Sequence, residues 1–267
     1  MLATFYHHPP KYKGPNWCKL DLTAFQAVQK CLDEFRPDVI IHAAANSNLD
    51  ECEKNPQDAE KINVAATEFL AQAAEALGAR FIFVSSDMVF DGKTGFYSES
   101  DPVSPLAVYG KNKTDAEKSV QHSCKNHVIA RAALIYGRSL GGGSSFSNWM
   151  EMRLRKNQTV PLFIDQFRTP IYAGNLAEML LELAHLDFIG TLHIGGANRI
   201  DRYNFGLQLC SLGGYNSSLL QPTSMHDFQP LAQRPADVSF SIDKAKSVLT
   251  TKILRTEEGL LRMFESD

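Results

Sequence analysis

Cysteine is sparse: five residues in 267, scattered as Cys18, Cys31, Cys52, Cys124 and Cys210, odd in number and without a C-x-x-C pair. That usage suggests neither a disulfide framework nor a zinc site; no metal is expected, and a reduced, cytoplasmic setting is. No apolar run approaches the roughly 18 residues of a membrane helix. The opening Met1-Leu2-Ala3-Thr4-Phe5-Tyr6 lacks the charged start and long apolar stretch of a signal peptide. An excess of one charge is missing too: 27 Lys+Arg stand against 30 Asp+Glu for a net charge of −3, with no polybasic block. A strongly basic nucleic-acid binder and a membrane-surface protein are thereby excluded, which leaves a small molecule as the expected partner.

What is present is an ordinary globular composition, 44% hydrophobic and 21% charged, arranged as alternating strand and helix patterns. Nearly continuous apolar runs at Asp38 to Ala45, Ala79 to Ser85 and His127 to Tyr136 read as strands covered on both faces, with a weaker run at Thr191 to Gly195. Between them the period becomes helical. Phe25, Val28, Leu32 and Phe35 form one stripe, with Thr23 and Gln26 spaced as a capping box. A second stripe begins after Asn55-Pro56 and runs through Ala59, Ile62, Ala66, Phe69, Leu70, Ala73 and Leu77 to Gly78. This is the pattern of βαβ units and a parallel sheet. After Tyr136 the composition changes: a glycine loop at Gly141 to Ser145 precedes helical patterns from Phe146 to about Lys156 and from about Asn175 to Leu186. The expected division is residues 1–140 as a dinucleotide-binding unit, to which later segments return, and 141–267 as a mainly substrate-binding region.

The sharpest chemical signal is Tyr109-Gly110-Lys111-Asn112-Lys113 at the head of a helical run. Tyr109 and Lys113 are i and i+4 and share a helix face. An adjacent ammonium favours the phenolate and is expected to bring the phenol toward a working range, so the pair can protonate a carbonyl oxygen. Ser86 and Asp87 lie at the C-terminal end of the strand run Ala79 to Ser85, where a parallel sheet binds ligands. Small residues, Ala43-Ala44-Ala45, end the earlier strand and let a flat ligand come close to the backbone.

Taken in order, Asp21-Leu22, His42-Ala43-Ala44-Ala45, Asn63-Val64, Ser85-Ser86-Asp87-Met88-Val89-Phe90-Asp91-Gly92 and Tyr109-Gly110-x-x-Lys113 resemble the extended short-chain dehydrogenase/reductases. More narrowly they resemble the dTDP-4-dehydrorhamnose reductase branch, and the likeness extends to Asp165 to Pro170 and to Gln233-Arg234-Pro235. The resemblance implies a Rossmann-like, doubly wound α/β fold with a small C-terminal substrate-binding region. It implies an NADPH-dependent reductase of a nucleotide-linked 4-keto-6-deoxysugar, with NADH as a second option. Tyr109 then matches the proton donor, Lys113 the residue that holds the nicotinamide ribose, and Ser86 the third member of the triad. Asp21 and Leu22 match the pair flanking the adenine, Ala43, Ala44, Ala45 and Ser47 the cofactor wall, Ser86 and Asp87 the sugar border, and Arg168 a group near the diphosphate. His7, His8, Lys11 and Lys13 offer polar or positive groups for the adenosine 2′-position.

Three departures from the branch stand out. Met88 occupies a usual tyrosine position and Leu134 a tryptophan position of some members. The opening strand and glycine-rich turn of a dinucleotide fold are also missing, and Leu2 to His7 resembles the family's second strand, so an opening unit on the order of 30 residues is expected ahead of Met1, lost most simply through a start codon placed too late. The chain as it stands is expected to bind a dinucleotide weakly. Two alternatives accompany the reductase reading: an NADP-binding regulatory subunit like the β subunit of methionine adenosyltransferase, and a sugar-nucleotide epimerase. A homodimer is left open, and neither nucleic acid nor membrane is expected as a partner.

Overall fold

The computed structural model describes residues 1–7, 16–139 and 145–265. Its strands are β1 (Leu2–Phe5), β2 (Asn16–Lys19), β3 (Val39–His42), β4 (Arg80–Ser86), β5 (His127–Ala132), β6 (Ile135–Tyr136), β7 (Val160–Phe163), β8 (Phe167–Arg168), β9 (Ile171–Tyr172), β10 (Gly190–Ile194), β11 (Ile200–Asp201) and β12 (Leu220–Thr223). The α-helices are α1 (Phe25–Phe35), α2 (Leu49–Lys54), α3 (Pro56–Glu60), α4 (Ala66–Leu77), α5 (Val108–Ser123), α6 (Phe146–Arg155), α7 (Ala173–His185), α8 (Arg202–Gly213), α9 (Asp243–Val248) and α10 (Thr256–Glu265).

The centre is a four-stranded parallel sheet in the order β10-β5-β4-β3, while β1 and β2 form a separate parallel pair. Successive side chains of β4 point to opposite faces, so one strand serves two cores. Phe81 and Phe83 pack with Val28, Leu70, Ala71, Ala74, Ala116 and Val120 beneath α1, α4 and α5. Ile82 and Val84 pack on the other face with Leu176, Met179, Leu183 and Leu249 of the α7 and α9 side. All seven residues of β4 are buried, which is why this run carries no polar alternation. A third core joins Tyr136, Met150, Leu154, Phe205, Leu209 and Leu260 around α6, α8 and α10.

The α/β parallel architecture is thus as the sequence implies, and among the described residues β3 has no strand neighbour on its outer side. Ile41 on that edge is 38% exposed. Four local readings change. The run from His127 to Tyr136 is not one strand, because β5 ends at Ala132 and β6 pairs with β9 in a separate two-stranded sheet. The stripe after Pro56 is not one continuous helix, because a π-helical turn at Lys61–Ala65 interrupts it. The apolar run from Asp38 is strand only over Val39–His42, since the small residues beyond it leave the ladder. The capping box of Thr23 and Gln26 is also absent. Ala24 is the N-cap of α1 without a side-chain bond, and Thr23 instead donates its amide and its hydroxyl to Asp21 Oδ1, both at 2.8 Å. An upstream Asx turn has claimed the residue that would have capped the helix. The glycines of the loop before Ser145 lie outside the described residues, as do His8, Lys11 and Lys13.

Candidate active site

Helix α5 starts against the end of β4, and the close approach explains the glycine after Tyr109. A Cβ on Gly110 would run into the carbonyl oxygen of Met88 and into Pro105. Tyr109, Lys113 and Glu117 then follow one another along the inward face of α5 and meet consecutive residues of β4. Ser86 lines the same cleft as Tyr109; its hydroxyl donates to Asp87 Oδ1 at 3.1 Å and accepts from Met88 N at 3.2 Å. Lys113 donates its Nζ to Val84 O at 2.8 Å and sits 4.5 Å from the centre of the Phe83 ring. Ser86 and Tyr109 are each 8% exposed and Lys113 only 2%.

These side chains lie at a cleft of about 620 Å³ beyond the C-terminal ends of β4 and β5. Of the residues singled out from sequence, Ala43, Ala45, Ser47, Ser86, Asp87, Tyr109, Lys113 and Arg168 line it. Asp21, Leu22 and Ala44 do not: Asp21 is engaged by Thr23, and Leu22 packs against the Phe81–Phe83 core. The two departures, Met88 and Leu134, both face the cleft. The π-helical turn has a part here, since Asn63 within it accepts from Asn46 N at 2.8 Å and donates to Asn46 O at 3.0 Å. That double bond fixes the irregular loop following β3, and a helix of regular pitch would rotate Asn63 out of line.

Electrostatics at the cleft follow from burial. The Tyr109 phenol is pushed above its ordinary value by burial, with Ser86 pulling it down and the charge of Asp87 pushing it up. The expectation that an ammonium brings it into working range is therefore corrected for the ligand-free protein, where desolvation wins and the phenol keeps its proton. Burial lowers Lys113 to about 8, with Glu117 opposing. His42 lies beneath them, lowered to about 3 by burial and by Lys113; its neutral Nε2–H donates to Thr67 Oγ1 at 3.0 Å, because that hydroxyl already donates to Asn63 O. Asp87 is raised by burial against the pull of Arg168 and Arg202.

The opposite wall carries arginines. Arg168 gives Nη1 to Phe167 O and Ala236 O, Nη2 to Pro235 O, and Nε to an ion pair with Asp87 Oδ2 at 3.6 Å. Its Nη groups are thus met by protein, whereas Nε and Asp87 Oδ2 are joined only as an ion pair, and that oxygen has no hydrogen-bond partner among the described residues. Arg202, which the sequence reading passed over, donates Nε to Gln166 Oε1 at 2.9 Å and lies 4.5 Å over the Phe146 ring, while its buried Nη1 has no hydrogen-bond partner among the described residues. Burial and the neighbouring Arg168 lower it to about 9. Its one local signal is that it follows Asp201, the residue whose carboxylate caps α8 by accepting from Asn204 N at 2.8 Å. Arg234 completes the wall, with Nη2 on Asp50 Oδ2 at 3.2 Å and a buried, unpartnered Nε.

A buried lysine, a phenol and a hydroxyl thus line one cleft at the tips of a parallel sheet, in a Rossmann-like α/β fold. The chain belongs to the family described as the RmlD substrate binding domain, which matches residues 4–267. Among its relatives is the probable low-salt glycan biosynthesis reductase Agl14 of Haloferax volcanii, 34% identical over 88% of this chain and 79% of that protein. The dTDP-4-dehydrorhamnose reductase of Aggregatibacter actinomycetemcomitans is 31% identical over 86% and 81%. Methionine adenosyltransferase 2 subunit beta of Rattus norvegicus is 30% identical over 88% and 72%. In three dimensions the chain is similar to a dTDP-4-dehydrorhamnose reductase of Bacillus anthracis in complex with NADP, with a TM-score of 0.89, 27% identity, and coverage of 95% and 90%. The resemblance drawn from sequence is borne out at the level of family and fold.

Proposed function

We propose that this protein is an NADPH-dependent reductase of a nucleotide-linked 4-keto-6-deoxysugar, with NADH as an alternative donor, working in the cytoplasm. The observation that carries the reading is that the Tyr109 phenol and the Ser86 hydroxyl line one cleft together, with the buried Lys113 ammonium behind them, 5.9 Å from the Tyr109 ring. Support also comes from relatives named as reductases and from the NADP-bound neighbour.

The residues present suit the nicotinamide end of such a cofactor. Ala43 and Ala45 leave the wall low, and a buried ammonium beside a phenol is the donor set for a ribose and a reacting carbonyl. A reduced nicotinamide, when bound, supplies the hydride. As a ketone carbon is reduced, its oxygen gains negative charge and takes the proton of Tyr109, whose burial keeps that proton on until the charge appears. Ser86 orients the same oxygen, and the Lys113 ammonium stabilises the phenolate left behind. Asp87, paired with Arg168, borders the sugar, while the unpartnered donors of Arg202 and Arg234 suit the diphosphate oxygens of a nucleotide-sugar. A second copy of the chain is a further candidate partner.

The test is NADPH consumption with a dTDP-linked 4-keto-6-deoxysugar, with the product analysed as the reduced sugar. Stoichiometric oxidation supports the reading. Sugar interconversion without external NADPH indicates an epimerase. No turnover at all, together with co-assembly with a synthetase, supports a regulatory role, which the 30% identity to the methionine adenosyltransferase β subunit keeps in view.

A further inference from the structure

A polar belt crosses the sheet one residue behind the strand tips. Ser85 of β4 stands opposite Arg131 of β5, and Arg131 opposite His193 of β10, in one row of the register. Glu117 of α5 lies over the row. Its Oε1 accepts from Ser85 Oγ at 2.5 Å and Arg131 Nε at 3.0 Å, and its Oε2 accepts from Arg131 Nη2 at 2.7 Å. Arg131 Nη1 reaches His193 Nε2 at 3.5 Å, and His193 Nδ1 is 3.1 Å from Tyr97 O. His193 is held neutral, lowered to about 3 by burial and by Arg131. All four side chains are buried, and the reaction as described uses none of them.

A buried ion pair is a poor way to stabilise a fold, because desolvating two charges offsets their attraction and an apolar pair of similar size does as well. Its place in the molecule supplies a different reason. Two neighbouring β4 residues are gripped by successive turns of α5, Val84 by Lys113 and Ser85 by Glu117, and the next residue, Ser86, lines the cleft with Tyr109 at the head of the same helix. The grip on Ser85 sets the rotation of the strand immediately before Ser86, and the grip from Arg131 ties α5 to the next strand. We propose that Glu117, held by Ser85 and Arg131, is a positioning residue that fixes Ser86 and Lys113 against Tyr109. The proposal rests on the reductase reading for its kinetic consequence but not for its structural one. The groups facing Lys113 are Tyr109 and Glu117 from its own helix, the Phe83 ring and Val84 O from β4, and neutral His42 from β3. Glu117 is the one anion among these, so its charge helps keep the ammonium protonated.

Two variants of the full chain test this, Glu117→Gln and Ser85→Ala, with Ser85→Thr as the conservative control. Ligand-free protein with 13Cε-labelled lysine is titrated by NMR, the Lys113 signal being assigned by its loss in Lys113→Met. The parent midpoint is expected near 8. In Glu117→Gln it moves to lower pH, and the alkaline limb of kcat moves with it, while kcat falls roughly tenfold or more and both KM values stay within about twofold. Ser85→Ala keeps the Lys113 midpoint and loses roughly tenfold in kcat, and Ser85→Thr restores it. An unmoved midpoint with unchanged kcat in Glu117→Gln overturns the proposal. Should that variant not fold, an unchanged kcat in Ser85→Ala overturns it instead. If the parent turns over no keto sugar, the reductase reading fails, and the Lys113 titration alone decides for or against the belt.

Discussion

On the wall built from β4 and α5 the buried cations are met by protein, Lys113 by Val84 O and Arg131 by Glu117, and the buried atoms left there without a hydrogen-bond partner among the described residues, Asp87 Oδ2 and Asn112 Oδ1, are acceptors. Across the cleft Arg202 and Arg234 each leave a buried nitrogen without a hydrogen-bond partner among the described residues. A buried polar group that meets no partner costs stability, on the order of 1–3 kcal/mol and more when it is charged, so it persists where something else completes it. The first wall holds its cations with its own groups. The second presents donors that, on the proposed function, an anionic substrate would complete. The difference teaches that chemistry and affinity are assigned to different sides of one cleft.

That contrast can be broken most sharply at Tyr109. Tyr109→Phe removes the proton donor and little else, and kcat is expected to drop about 10²–10⁴-fold with KM for either ligand nearly unchanged, as read by NADPH consumption. A comparable loss in KM would mean that Tyr109 belongs to the binding wall. Next in size is Arg202→Met. Losing charge-assisted bonds to a substrate anion raises KM roughly 10- to 100-fold, with a much smaller change in kcat. The melting temperature of the ligand-free variant stays equal or rises, since the substitution deletes an incompletely paired buried cation. A fall in melting temperature with unaltered KM would make Arg202 a structural residue. A smaller effect comes from pH. Burial depresses Lys113 to about 8, so the ammonium is present below that value and is lost as pH rises through it; kcat should decline on the alkaline side of about 8. A rate flat to pH 10 would show that the phenolate needs no ammonium. The least effect is expected at the strap joining the two walls, where Asp50 accepts from Ala232 N at 2.9 Å and pairs with Arg234. Both partners are about a third exposed, so Asp50→Ala should change KM by no more than about threefold, measured in the same assay.

How much of this was written in the chain varies with the range of the interaction. Strands buried on both faces announce themselves as continuous apolar runs, and Tyr109 and Lys113 share a face by helical geometry alone, so the sheet and two of the three proposed catalytic residues could be read locally. Ser86 became legible because a strand tip is where a parallel sheet binds ligands. Glu117 and Arg131 were not legible: 14 residues apart, each looks like an ordinary surface charge until the register sets Arg131 opposite Ser85. Arg202 was hidden for the same reason, because only the fold of the later segments brings α8 to the cleft. The capping box misled in the opposite direction. Thr23 and Gln26 have the right spacing, but Asp21 two residues upstream offers Thr23 a better partner. The π-helical turn leaves no mark on the apolar stripe, since its one decisive residue, Asn63, is polar and answers to a loop 17 positions away.

The central claim is that Tyr109 acts on the reacting atoms and not on the binding of either ligand. Calorimetric titration of Tyr109→Phe with NADPH, and then with the 4-keto sugar nucleotide, measures this most directly when paired with single-turnover kinetics on the same sample. Binding of both ligands within about threefold of the parent, alongside a reductive step slowed by at least two orders of magnitude, is the predicted result. A variant that reduces the ketone at the parental rate, or that no longer binds the cofactor, would contradict it.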